Sequence, residues 1–414
     1  MFQSIKYALI PVFFLLCGVA HAYSAARPIS TCTELQDEIP FFMAGDFYLT
    51  NDIDCTRVFR PIDGVFAGTL DGRGYTISNL TIKNSGVNNH RNAGLFRKLG
   101  PSEDGLHTPV IKNINFVNAG VYANPDVHRG LIAAIADQAE ISNITVNGLE
   151  VWEVGGYIDH LGASGGIVGH GIDTKLINVH IQNVAIQKNA FAGGLIGMAS
   201  GATSIEKSSV SGLSSGGAHC NKHTPCAFGG LIGRAGGDTG KDKTVRISES
   251  SAEGYIDTRQ NTGGLIGIIK PWQMVFISNS YAEVKLIPDC FQGCNFAGGL
   301  IGQAELDTGN KMVILDHVYA AARVRVSSND KGRAIVGHAQ PDGANQGERV
   351  GGFQSYYDLQ VTDKKNSGDN FSVGLKTQAM QDPSEVSFAT WDRTIWKFEP
   401  GQYPRLYYNQ TPAQ

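Results

Sequence analysis

A block of the form Gly-Gly-Leu-Ile-Gly recurs along this chain at 165–169 (with Ile167 and Val168 at its centre), 193–197, 229–233, 263–267 and 298–302. Degenerate copies add Gly94, Gly130 and Ala334, so the marker position runs 94, 130, 166, 194, 230, 264, 299 and 334. Spacings of 28 to 36 residues, held over some 240 residues, make the molecule a stack of near-copies, none of which buries its apolar face alone. A second column lies between the blocks: Ile77-Ser78-Asn79, Ile111-Lys112-Asn113, Ile141-Ser142-Asn143, Leu176-Ile177-Asn178, Ile205-Glu206-Lys207, Ile247-Ser248-Glu249, Ile277-Ser278-Asn279 and Leu315-Asp316-His317. Five of its eight third positions are asparagine, the residue that best tolerates a left-handed backbone and whose amide can bond from one copy to the next.

Short alternating runs follow that column, such as Ile114-Asn115-Phe116-Val117 and Ile144-Thr145-Val146, and have the period of half-buried strands. Like strands of successive copies would pair in parallel, which predicts an all-β, right-handed parallel β-helix (solenoid) of about eight coils. Eight coils at ~4.8 Å would give a core on the order of 38 Å long. Glycine at the bends is expected to supply positive φ and close approach. Leu195, Leu231, Leu265 and Leu300 stand at matching positions and read as one inward column. The expected organisation is a signal peptide at 1–22, an N-terminal cap and first strands at 23–75, repeats at 76–361 and a capping tail at 362–414. Helix 33–39 belongs to the first cap, and Phe388, Trp391, Trp396, Phe398 and Tyr403 are expected to cover the last coil.

The leader reading rests on Lys6, the apolar run from Ala8 to Leu16 and the small-x-small site Ala20-His21-Ala22. It predicts export, to the cell surface or medium or, alternatively, the periplasm. No other stretch approaches the 18 or more apolar residues of a membrane span. The formal net charge of −4 at pH 7 provides no basic patch for nucleic acid. Besides Cys17 the cysteines fall in neighbouring pairs, Cys32 with Cys55, Cys220 with Cys226 and Cys290 with Cys294, as export-dependent disulfides would. At 219–226, where His219 and His223 flank the cysteines, a zinc site is the alternative to a disulfide.

The Gly-Gly-Leu-Ile-Gly blocks, paired with Ile-Ser-Asn-Ser-Tyr-Ala at 277–282, resemble the GLUG repeat of bacterial surface proteins. Segments 49–54 with 66–72, and the tail motifs at 355–358, 374–377, 391–396 and 401–406, resemble the flanks that accompany such repeats. That resemblance covers nearly the whole chain beyond the leader. It implies an exported, adhesin-like protein of the filamentous-haemagglutinin or IgA-peptidase-associated kind. No His-Glu-x-x-His occurs, so peptidase chemistry is not carried over.

Individual residues support chemistry weakly. His170 follows a repeat glycine, and its column elsewhere holds Met198, Arg234, Ile268, Gln303 and His338. Glu249, Asp289 and Asp316 are scattered, whereas glycoside hydrolysis needs paired carboxylates. Arg323 and Arg325 alternate on one strand and read as a possible ligand contact against a solvated face. Trp272, at a turn, could present its indole to a ligand. The resulting expectation is a monomeric, non-enzymatic protein without cofactor or catalytic residue, contacting a host or matrix protein or glycan through its lateral face. A polysaccharide-active enzyme and a structural spacer are the alternatives.

Overall fold

The computed structural model describes residues 25–84, 92–124, 127–154, 162–187, 190–218, 226–237, 243–258, 261–287, 296–306, 313–326, 331–340 and 350–410. The expected leader, Cys17, Cys220, Cys290, Cys294, His219, His223 and Asp289 lie outside them. Among the described residues strands sort into sheets of 18, 9 and 6 strands, whose pairings are parallel, and one antiparallel pair, Trp396–Lys397 with Arg405–Leu406.

Each glycine block is the corner between the third and second sheets. Gly193, Gly229, Gly263 and Gly298 pair in register at the ends of third-sheet strands, and Ile196, Ile232, Ile266 and Ile301 open the second-sheet strands. The block glycines do not adopt positive φ, contrary to expectation. They are glycine because the backbones touch: a Cβ on Gly230 would lie 2.0 Å from the Gly264 carbonyl oxygen, and one on Gly264 1.9 Å from that of Gly299. Immediately after these corners Leu195, Leu231, Leu265 and Leu300 are fully buried in one column.

The second column is where the backbone turns left-handed. Asn79, Asn113, Asn143, Asn178, Lys207, Glu249, Asn279 and His317 all have φ between 44° and 57°. The asparagines bond in series: Asn178 Nδ2 donates to Asn143 Oδ1 at 2.9 Å, Asn143 to Asn113 at 2.9 Å, and Asn113 to Asp71 Oδ1 at 3.0 Å. Each amide therefore satisfies its neighbour while holding the corners in register.

The expected right-handed parallel β-helix solenoid of about eight coils is corrected. Pairing in the long sheet closes a ring of six parallel strands, a small barrel in its connectivity: Lys175–Gln187, Ser204–Glu206, Thr244–Ser248, Met274–Leu286, Ser251–Thr258 and Ser209–Ala218, back to Lys175–Gln187. The remaining strands of the sheet attach to that ring. At the two breaks that open this ring stand the fully buried Ser208 and Ser250, in a column with Ser280, which makes the same bonds within the unbroken strand Met274–Leu286. Each hydroxyl donates at 2.7 Å to the carbonyl two residues back. Each also accepts the backbone N–H of the preceding repeat, from Val179 at 3.1 Å, Ser208 at 3.2 Å and Ser250 at 3.1 Å. Side-chain oxygens take the place of ladder carbonyls there, and at Ser208 and Ser250 the long strands divide in two.

The N-terminal segment adds strands as well as a lid. Arg27–Ile29, Asp46–Leu49, Thr69–Asp71 and Val110–Ala123 pair in succession. Helix Cys32–Asp37, capped by Thr31 and Glu34, is tied to the strand layer by the Cys32–Cys55 disulfide. At the other end, residues 366 and 367 accept hydrogen bonds from Ala334, Ile335 and Val336 and so continue the stack. The tail aromatics, expected to cover the last coil, extend further along the long sheet: Phe388 and Trp391 pack on Tyr356 of the strand Val350–Asp358, and Trp396 packs on Tyr281 and Tyr319 of earlier strands. Among the described residues no helix is long and apolar enough to cross a membrane.

Candidate functional site

Strict register turns single side chains into columns across the strands. On the outer face of the long sheet one column runs Asn115, Thr145, His180, Ser209, Ser251, Tyr281, Tyr319 and Tyr356. The tail occupies its C-terminal half. Arg405 bridges Glu253 at 2.6 Å and Glu283 at 2.8 Å, Trp396 Nε1 donates to Asn279 Oδ1 at 3.1 Å, and Tyr319 donates to the Pro404 carbonyl at 2.8 Å. Tyr408 ends the contact, its ring 5.2 Å from that of His180.

The N-terminal half is an open groove of about 540 Å³ floored by the amide ladder. Thr145 donates to Asn115 Oδ1 at 2.6 Å, Asn115 donates to the Gly74 carbonyl at 2.7 Å, and the Arg73 guanidinium stacks 3.5 Å over the Tyr48 ring. Beyond a second left-handed corner, at Asn118, Gly148 and Asn183, lies a smaller groove of about 320 Å³ beside Tyr122 and Glu150. Tyr122 donates to Glu150 Oε2 at 2.5 Å, and burial followed by this carboxylate pushes its phenol up to about 12. Tyr122 pairs in register with Trp152, the ring centroids 6.4 Å apart.

The residues singled out from sequence are not brought together. Trp272 is half exposed at a turn with φ 71°, on the connection between Ile266–Ile269 and Met274–Leu286. Arg323 and Arg325 are exposed, with Arg323 beside Lys285, whereas Arg333 belongs to the third sheet. Cys32 and Cys55 are bonded, and Cys226 is in a disulfide. Among the described residues no group of three His, Cys, Asp or Glu side chains is placed to hold a metal ion.

His170 is packed rather than presented. Its Nε2 lies 3.0 Å from Ser200 Oγ and its ring 5.4 Å from that of His128. Burial, and then the neighbouring His128 charge, lower His170 to about 3; burial, and then Arg129, lower His128 to about 4; burial alone lowers His180 to about 4. These histidines stay neutral in the folded state, while in the unfolded chain they protonate near pH 6.5. Stability is therefore expected to be complete above about pH 6.5 and to fall as pH drops toward 4, by up to ~1.4 kcal/mol per pH unit for each histidine. Urea melts between pH 7.5 and 4.5 check this; His170→Gln should flatten the slope.

Sequence reasoning missed Tyr122, Glu150 and Trp152. The signal was present: Tyr122 and Trp152 each stand four residues after an equivalent corner, Asn118 and Gly148.

No family model matches the chain. Halomucin of Haloquadratum walsbyi is 35% identical over 115 residues, 25% of this chain; the chain spans about 1% of that curated relative's length. Among solved structures, similarity extends to a Bacteroides ovatus protein provisionally described as an immunoglobulin A1 protease, at a TM-score of 0.39 and 17% identity over 92% of both chains. A second, described as IgA1 Protease, matches at a TM-score of 0.47 and 17% identity over 90% of this chain and 24% of that one. These structural neighbours are IgA1 protease-like by description, and no residue role is carried over from them.

Proposed function

We propose that the chain is an exported bacterial interaction protein of the GLUG-repeat type, monomeric and non-enzymatic, that contacts a host or matrix component through the outer face of its long sheet. The observation that carries this reading is the division of that face. Its C-terminal half already holds an irregular peptide segment by ion pairs, aromatic contacts and side-chain to backbone hydrogen bonds. The N-terminal half offers the same columnar geometry, with no segment of the described residues laid over it and with hydrogen-bonding groups repeated at strand spacing.

A rigid, self-satisfied floor suits binding, because its side chains lose little freedom when a ligand settles. The test is an array of immobilised glycans and matrix proteins, with reducing-end and unsaturated-product assays on every saccharide that binds. Retention without product release supports the reading; product release, or no retention on any target, contradicts it.

A further inference from the structure

We propose that the facet carrying Tyr122 and Trp152 is a binding site for a short neutral saccharide, with the Tyr122 ring in the groove as its platform, the Trp152 indole standing beside it at 66° as a second wall, and Glu150, Asn118 and Asn183 as its polar partners. This rests on the interaction reading above and names the ligand class for one part of that face.

The first observation is exposure. Trp152 is 37% exposed on a strand, whereas Trp391 and Trp396 in the tail are 2% and 0% exposed. An indole held on a rigid strand with more than a third of its surface in water offers a partner an apolar edge.

The second is pre-organisation. A Cβ on Gly120 would stand 2.6 Å from the Tyr122 ring, so the ring reclines across Gly120 and could not do so over any other residue. Its hydroxyl is anchored on Glu150 of the adjacent strand, and Lys83 Nζ lies 5.9 Å from its ring centroid. The result is an aromatic platform whose angle is fixed before any ligand arrives.

The third is the chemistry around it. A pyranose has one face of C–H bonds, which suits an electron-rich ring, and an equator of hydroxyls that both donate and accept. The groove of about 320 Å³ is bordered by the Asn118 and Asn183 amides, the Thr81 hydroxyl and the Glu150 carboxylate, which together supply donors and acceptors. Its size is at the lower end of small-ligand sites, enough for a short saccharide. One Lys83 and one Glu150 balance in charge, which favours a neutral sugar over a polyanion.

The test uses the intact protein with cellohexaose, maltohexaose, xylohexaose and mannohexaose, and tetragalacturonate as an anionic control, read by calorimetry and tryptophan fluorescence. At least one neutral hexaose is expected to bind and change the fluorescence. Trp152→Ala and Tyr122→Ala should each weaken it at least tenfold with an unchanged melting temperature, while Trp272→Ala leaves it as in the wild type. Gly120→Ala, which lifts the Tyr122 ring, should also weaken binding although both aromatics remain. The proposal is overturned if the wild type binds none of the neutral hexaoses, or if a bound hexaose is held equally by the Trp152 and Tyr122 variants. Retention of a matrix protein with no hexaose bound would sink the saccharide assignment alone; no retention of any target would sink the interaction reading as well.

Discussion

Gly264→Val abolishes the folded state, while Gly216→Ala leaves the melting temperature within a degree or two of the wild type. A Cβ at Gly264 would sit 1.9 Å from the Gly299 carbonyl oxygen and 2.6 Å from the Ala282 Cβ. Neither neighbour can yield alone, since Gly299 itself touches the Ala334 carbonyl and Ala282 is fully buried on the long sheet. Relief would require adjacent layers to separate along their whole contact, forfeiting both hydrogen bonds and packing, and the cost should exceed ~4 kcal/mol. Among the described residues Gly216 meets nothing within 4 Å at the Cβ position. Thermal and urea melts of the two variants side by side, with expression in the soluble fraction as a second readout, check both halves. Equal stability of the two would mean that the blocks are not glycine for steric reasons.

Trp396→Ala detaches the tail from the long sheet and lowers stability by about 3–5 kcal/mol, the cost of emptying a large buried aromatic site. Trp396 is fully buried, its ring 4.6 Å from that of Trp391 and about 6 Å from those of Tyr281 and Tyr319. The same substitution frees the tail's other anchor to fray. Arg405 is held between Glu253 and Glu283, and burial raises the Glu283 carboxyl above its ordinary range when weighed against the attraction of Arg405. Hydrogen exchange should therefore rise throughout 377–408 and at Tyr281 and Tyr319, with the third-sheet strands still protected. Uniform loss of protection everywhere would show the tail to be part of one cooperative unit rather than a strap upon it.

The repeat register was legible in the sequence because glycine and asparagine are selected there by backbone constraints that no other contact can replace. Even Lys207, Glu249 and His317, which carry no amide, follow the left-handed turn of their column. Two readings failed for physical reasons. The block glycines were expected to supply both positive φ and close approach, and only the close approach is found: backbone contact excludes a side chain, while φ stays negative. The closed six-strand ring was not legible because Ser208, Ser250 and Ser280 look like surface polar residues beside Ser209 and Ser251, and only a three-dimensional register shows their hydroxyls inside the ladder. The tail's composition marked it as a covering element, but its place depends on Arg405 meeting Glu253 and Glu283, more than 120 residues away in the chain. The aromatic platform was within reach, since Tyr122 and Trp152 share one offset from their corners; Gly120, which lays the tyrosine flat, has no sequence signature of its own.

The most direct measurement compares the wild type with two variants on immobilised glycans and matrix proteins. One is the double variant Thr145→Arg, Glu150→Arg, which places two large charges on the open half of the long sheet's outer face. The other is Val65→Lys, at an exposed position of the second sheet. Retention weakened at least tenfold in the first and unchanged in the second is the predicted result; retention that survives the double variant, or is lost equally in both, would contradict the assignment of binding to that face.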